Sequence, residues 1–304
     1  MEEPSNEMAS APLLPAELQQ KILQQQIVNE CDTLNEAMNL RLVSKQMKDW
    51  VDVLLRKKTQ ITIDTPPLRR YPIMKIMQRV KEFCPDIRRI VFREPPIGMC
   101  DSIEQLSDKH LKLLQELFPL VTHVTIPRSS RITDEGCETT IAMLPCLESL
   151  DVTCSMKLGP SVVVHVATKR QETLKYLRVR PSPVRWHAML DLDAAKALGQ
   201  CLALRSLDLQ SCRLTAEMVM HILRCKTLCH VNMSQNPGID DAGLKWPLMP
   251  TLRSLDLQEC SLNLAALEKI KLCCPNLTTF LVRGNGLTAD DRVPIMELES
   301  KKGV

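Results

Sequence analysis

The sequence predicts an α/β fold in which short parallel strands, each followed by a helix, stack into a curved solenoid with its helices outside. The first observation is a pattern of three apolar residues, separated by two residues and then by one, that recurs along most of the chain. Eight copies begin at Ile87, Val121, Leu147, Leu174, Leu204, Leu228, Leu252 and Leu277. The second observation is that stretches with apolar residues three and four apart, the helical period, follow strands at 215–223 and 264–272. A single strand and helix cannot bury their apolar faces, so each repeat must be covered by the next.

The pattern is that of the leucine-rich repeat. Its best copies, at 204–214 and 252–262, share the string LRSLDLQ and carry Cys212 and Cys260 where this repeat has Asn or Cys. Neighbouring copies begin 24 to 34 residues apart. Helix starts are predicted where a threonine stands ahead of acidic residues, at Thr133, Thr215 and Thr288.

A small helical module is predicted ahead of the repeats. The expected organisation is a tail at 1–11, the module at 12–56, the solenoid at 57–290 and a C-terminal cap and tail at 291–304. Pro15 stands at a first helical position, and Leu18 and Ile22 follow on one helix face. Apolar residues three and four apart predict a second amphipathic helix at 40–54. About forty residues are few for an independent fold.

The two halves of this module, LPAELQQKIL at 14–23 and LRLVSKQMKDW at 40–50, resemble the F-box. The F-box is the helical module by which substrate receptors dock on the Skp adaptor of cullin-RING ubiquitin ligases. The repeats also contain CP at 84–85 and CPNL at 274–277. An F-box ahead of such repeats is the layout of the F-box and leucine-rich-repeat receptors, so the resemblance covers nearly the whole chain.

The resemblance implies a leucine-rich-repeat solenoid preceded by an F-box-like module that binds the Skp adaptor and, through it, a cullin. The implied adaptor contacts are Leu14, Pro15, Leu18, Ile22, Leu23, Leu42, Val43 and Trp50. Two features depart from the family pattern: the connector from Leu23 to Leu40 is longer than usual, and Ser44 stands where Cys is frequent. The alternative is that both helices only cap the open end of the solenoid.

The outward positions of the strands form three columns on the sheet face opposite the helices. Three aspartates in the middle column fit the consensus of the repeat: Asp151, Asp208 and Asp256. Tyr176, Arg178 and Arg180 depart from the consensus together, and an aromatic ring beside two guanidinium groups is typical of an interaction hot spot. Arginine also suits an acidic or phosphorylated segment, with which its planar group pairs bidentately.

An insertion follows the same strand at 180–189. Its two prolines predict a stiff loop, and it carries Trp186. An exposed tryptophan over the sheet face would serve a partner, whereas one folded back would fill the gap between repeats. The predicted substrate-binding residues are Tyr176, Arg178, Arg180 and Trp186. A second insertion, at 93–102, lengthens the first predicted repeat.

Composition argues against several other classes. The net charge of +3 is spread along the chain, which gives little support to a nucleic-acid-binding role. The first residues have no apolar core, and no stretch approaches eighteen uninterrupted apolar residues, so neither a signal peptide nor a membrane span is expected. Thirteen cysteines, an odd number, then indicate a reducing compartment, the cytoplasm or the nucleus.

No metal site, cofactor or catalytic group is expected. His221, Cys225, Cys229 and His230 include no close Cys pair, and the repeat explains cysteines that close helices or stand at the Asn position. The isolated Gly98 gives no phosphate-binding loop. The predicted function is therefore not enzymatic.

The predicted function is the substrate-recognition subunit of an SCF-type ubiquitin ligase, with an unknown protein substrate on the concave face. The alternative is a leucine-rich-repeat scaffold, or a GTPase regulator similar to the Ran-activating family. That alternative favours uniform repeats and an asparagine ladder, which Cys212 and Cys260 interrupt.

Overall fold

The computed structural model describes residues 49, 52–53, 55–64, 72–93, 106–126, 131–153, 157–181, 190–242 and 244–285. The module contacts implied by the resemblance, Trp186 and Thr288 lie outside the described residues. So do most of the insertion at 93–102 and most of that at 180–189. The predicted tails and the module boundary are therefore still predictions.

The described strands form one parallel sheet in which every strand pairs with the next along the chain. They are β1 (Gln60–Asp64), β2 (Arg89–Arg93), β3 (His123–Ile126), β4 (Ser149–Thr153), β5 (Tyr176–Arg180), β6 (Ser206–Asp208), β7 (His230–Asn232), β8 (Ser254–Asp256) and β9 (Thr279–Leu281). Strands that pair only with their sequence neighbours are the mark of a solenoid. The predicted leucine-rich-repeat fold is confirmed.

Helices connect most successive strands on one side of the sheet. They are α1 (Ile73–Phe83), α2 (Asp108–Leu117), α3 (Asp134–Thr139, followed by a 3-10 turn at Ile141–Met143), α4 (Pro160–Lys169), α5 (Leu192–Gly199), α6 (Ala216–Ile222) and α7 (Leu264–Cys273). Thr133 and Thr215 cap α3 and α6 through bonds from the N–H groups of Gly136 and Met218, as predicted. Between β7 and β8 the described residues contain no helix. Pro247 in that segment disfavours one.

The sequence prediction of eight repeats was one short, because β1 adds a ninth strand. Ile61 and Ile63 point inward and are almost fully buried, as in the other strands. The first apolar position of the pattern is Lys58 in this repeat. A repeat without its leading apolar residue does not match the pattern, although its alternation of apolar and polar residues signals a strand.

The core consists of ladders of inward residues that run from strand to strand. Leu207, Val231, Leu255 and Phe280 occupy paired register positions on β6 to β9 and are buried. Each side chain contacts its counterparts in the neighbouring repeats, so the apolar face of one strand is covered only by the stack.

Within the described residues, no helix is long and apolar enough for a membrane span.

A second ladder, which follows the strands, alternates cysteine and asparagine at Cys212, Asn236, Cys260 and Asn285. The Cys212 thiol donates to the carbonyl of Val179 at 3.1 Å. The Asn236 side chain is fully buried and receives the N–H of Leu214 at 2.9 Å. Asn285 receives the N–H of Leu262 at 3.1 Å in the same way. Each member of the ladder thus bonds backbone groups of the preceding repeat.

Candidate interaction face

The strand register places the outward side chains in the predicted columns. Tyr176 of β5 pairs with Ser149 of β4 and Ser206 of β6. One step along, Arg178 lies between Asp151 and Asp208 in the middle column. Adjacent strands lie about 4.8 Å apart, so the guanidinium of Arg178 can reach carboxylates on both sides.

Arg178 and Arg180 form an ion-pair network with these two aspartates. Arg178 donates from Nε to Asp208 Oδ2 at 3.0 Å and from Nη1 to Asp151 Oδ2 at 3.1 Å. Arg180 donates from Nη2 to the same Asp208 oxygen at 2.7 Å. The Asp208 side chain is only 10% exposed, whereas that of Arg178 is 38% exposed. The aspartates therefore hold the arginines, whose outer edges face solvent.

Tyr176 completes the cluster. The guanidinium carbon of Arg178 lies 5.7 Å from the centre of the Tyr176 ring, within the range of a cation–π contact. Burial raises the pKa of the Tyr176 hydroxyl, so the ring stays neutral at physiological pH. We call Tyr176, Arg178, Arg180, Asp151 and Asp208 the arginine cluster. Three of the four predicted substrate-binding residues thus lie together.

The sequence missed the role of the two aspartates, which it assigned only to the repeat consensus. The signal was present in the aligned columns, where Asp151 and Asp208 stand one strand on either side of Arg178. Two carboxylates balance two guanidinium groups, so the cluster carries no net charge. Arg180 Nε is buried and has no hydrogen-bond partner among the described residues. A ligand must bind the N–H groups of the two arginines that the aspartates do not already bind.

The described cysteines are buried or partly buried free thiols. Burial raises the pKa of Cys84 and of Cys260 to about 11, which keeps both thiols protonated and unreactive. Across the described ranges, no three His, Cys, Asp or Glu side chains are grouped so that they could hold a metal ion.

The fold matches 148 chains of solved structures. Two of them, TLR13 and an internalin, are leucine-rich-repeat proteins. TLR13 in a TLR13–ssRNA13 complex aligns with a TM-score of 0.51 at 14% identity, over 78% of this chain and 34% of that one. The chain thus spans about a third of the length of TLR13. An internalin from Listeria monocytogenes aligns with a TM-score of 0.43 at 16% identity, over 91% of this chain and 96% of that one.

The sheet topology and the TLR13 alignment show a leucine-rich-repeat fold. No protein-family model matches the chain, and no curated protein matches it in sequence.

Proposed function

We propose that the protein is the substrate receptor of a cullin-RING ubiquitin ligase in the cytoplasm or nucleus. The N-terminal module binds the Skp adaptor, and the open sheet face binds the protein that is to be modified. The resemblance of residues 14–23 and 40–50 to the F-box supports the first half of this proposal. The observation that carries the second half is the arginine cluster at the middle of a leucine-rich-repeat sheet.

The arginine cluster is suited to protein recognition because its donors are fixed in advance. Each arginine is held by a carboxylate in the repeat that follows it, and Arg178 also by one in the repeat that precedes it. A held guanidinium loses little side-chain entropy when a ligand binds. Aromatic and arginine side chains together are typical of the energetic centre of an interface. We therefore place Tyr176, Arg178, Arg180 and the loop with Trp186 in the substrate site.

Adaptor binding is tested with a triple variant, Leu14→Ala, Pro15→Ala and Ile22→Ala. Each buried apolar truncation costs on the order of 2–5 kcal/mol at a contact, so the variant should no longer co-purify with a purified Skp adaptor. A double variant at polar positions of the same segment, Gln19→Ala and Gln20→Ala, is the matched control and should bind normally. Circular dichroism reports whether the solenoid is folded.

Undiminished adaptor binding by the folded triple variant contradicts ligase coupling. A triple variant whose whole chain unfolds supports the alternative, in which the helices only cap the solenoid.

Substrate binding is tested with Arg178→Glu plus Arg180→Glu. Client proteins recovered with the wild-type receptor should be lost, while adaptor binding persists, and the client interaction should weaken with added salt. The glutamates would face Asp151 and Asp208, so Arg180→Gln is added as a milder variant that keeps Arg178 in place. An unchanged client list for both variants would place recognition elsewhere on the solenoid.

The scaffold or GTPase-regulator alternative gains one supporting observation. Asn236 and Asn285 occupy the ladder position in two repeats, so the asparagine ladder is half complete rather than lost. The adaptor experiment separates the two proposals, since only the substrate receptor binds the Skp adaptor.

A further inference from the structure

The edge of the solenoid where helices lead into strands is strongly basic before β5 to β8. The four segments that form this edge are 169–175, 200–205, 223–229 and 245–253. Together they contain eight lysines and arginines and a single acidic residue, Glu172. These cations belong to four segments that are far apart in sequence, and the net charge of the whole chain is only +3, so the sequence alone does not reveal the cluster. We call these four segments the basic edge.

The strand pairing sets the spacing of the cations on the basic edge. Arg205 N–H bonds the carbonyl of Lys175 at 2.9 Å, and Cys229 N–H bonds that of Arg205 at 2.8 Å. Arg253 N–H in turn bonds the carbonyl of Cys229 at 2.8 Å. Each step is one strand spacing, so Lys175 and Arg205 start about 5 Å apart and Arg205 and Arg253 about 10 Å apart.

Most of these cations have no counter-ion among the residues that the structure describes. Lys175 pairs with Glu148 at 2.8 Å. Arg205, Arg224, Lys245 and Arg253 are exposed and form no ion pair with a described residue. The arginines of the arginine cluster differ, because both are neutralised by aspartates.

The helix dipole explains only part of this charge. A cation in the last turn of a helix, such as Lys169 of α4, is stabilised by the negative end of the dipole. Lys245 and Arg253, however, belong to the repeat without a described helix. Arg205 lies beyond α5, at the residue before β6. These cations have no helix end to complement.

Two large apolar side chains lie exposed among the cations. Leu202 is 61% exposed and Leu248 is 64% exposed. An aromatic side chain that could stack on bases is absent from the exposed described residues of the basic edge, since Trp246 is buried. The edge therefore offers guanidinium groups and leucines together, without stacking platforms.

We propose that the basic edge binds an extended segment of a partner protein in which an acidic residue recurs at every third position, with apolar residues between. Arginine pairs bidentately with carboxylates, and an extended chain advances about 10 Å in three residues, the distance between Arg205 and Arg253. Leu202 and Leu248 contact the apolar residues between the acids. The basic edge shares no residue with the arginine cluster.

The test uses the full chain and a fluorescein-labelled peptide of about twelve residues, roughly 40 Å when extended, with Glu at every third position and Leu between. Fluorescence anisotropy should show binding that weakens with salt. Arg205→Glu plus Arg253→Glu should reduce affinity about tenfold or more. The control, Lys109→Glu plus Lys112→Glu, makes the same charge change on exposed positions of α2 and should leave affinity within about twofold.

A second variant, Leu202→Ser plus Leu248→Ser, tests the apolar contacts and should also weaken the peptide. Wild-type affinity in this variant would overturn the proposal, and so would equal losses of affinity in the charge variant and its control. Either result would indicate a surface that binds any polyanion. Failure of the wild type to bind the peptide would also overturn the proposal. Tighter binding of duplex DNA or of phosphatidylserine vesicles than of the peptide would assign the edge to those ligands instead.

Discussion

Asn236→Ala tests whether the ladder that follows the strands joins neighbouring repeats. The Asn236 side chain is fully buried and receives the N–H of Leu214 at 2.9 Å. Its amide donates to the carbonyls of Leu209 at 3.0 Å, Met233 at 2.8 Å and Ser234 at 3.0 Å. Leu214 and Leu209 belong to the preceding repeat, so one side chain bonds two repeats together.

The magnitude follows from the groups that alanine would leave unbonded. A buried polar group without a partner costs about 1–3 kcal/mol, and the N–H of Leu214 would lose the acceptor that this structure provides. The three carbonyls would lose donors, at less cost each because a carbonyl oxygen has two lone pairs. We expect the free energy of unfolding to fall by about 3–5 kcal/mol.

The chain supplies matched controls for this prediction. Asn236→Cys copies the residue of the neighbouring repeats, keeps a weak donor and should lose less than the alanine variant. Asn276→Ala removes one exposed side-chain bond, to the carbonyl of Pro250, and should cost about 0.5 kcal/mol or less. Urea unfolding followed by far-ultraviolet circular dichroism measures all three. A loss below about 1 kcal/mol for Asn236→Ala would refute the reasoning.

Three further predictions concern the core, a close backbone approach and a carboxylate. Leu255→Ala should lower the free energy of unfolding by about 2–5 kcal/mol because it leaves a cavity, and Cys212→Ser should cost less; small, equal losses in urea would mean that the inward face is misassigned. Gly136→Ala should cost about 1–3 kcal/mol in the same assay, because its Cβ would overlap the carboxylate of Asp108; an unchanged midpoint would show that this carboxylate can turn away. Burial raises the pKa of the Asp256 carboxyl in the folded protein above its ordinary value, because burial disfavours the charged form. This group therefore stabilises the folded protein below its ordinary pKa, and that contribution is lost as the pH rises through the pKa of the folded state. Asp256→Asn should therefore raise the melting temperature near pH 7 and not near pH 3, and a gain of equal size at both would exclude ionisation as the cause.

The repeats and the columns of the sheet face were predictable because a strand alternates its side chains with a fixed period. Once Leu207 is assigned inward, Ser206 and Asp208 must point outward, and the register aligns them with their neighbours. The first strand was not recognised as a repeat, because Lys58 replaces the leading apolar residue of the pattern. Pattern alone fails where one position departs from it.

The contacts of the arginine cluster could not be predicted to the same extent. The sequence places Arg178 between two aspartates but does not say which way a long, flexible side chain turns. Burial decides this, since the largely buried carboxylates of Asp151 and Asp208 are stabilised by a charged donor. The basic edge was likewise hidden, because its cations are scattered among four segments that only the folded stack brings together.

The order of the strands has a consequence for how the chain reaches its fold. Each strand pairs with the next along the sequence, so every long-range contact of the described sheet closes within about one repeat of chain. A newly made repeat can therefore dock on the one before it as soon as it leaves the ribosome, without waiting for later residues. Short loop closures also favour fast folding. Synthesis and folding can thus advance together, one repeat at a time, from β1 towards β9.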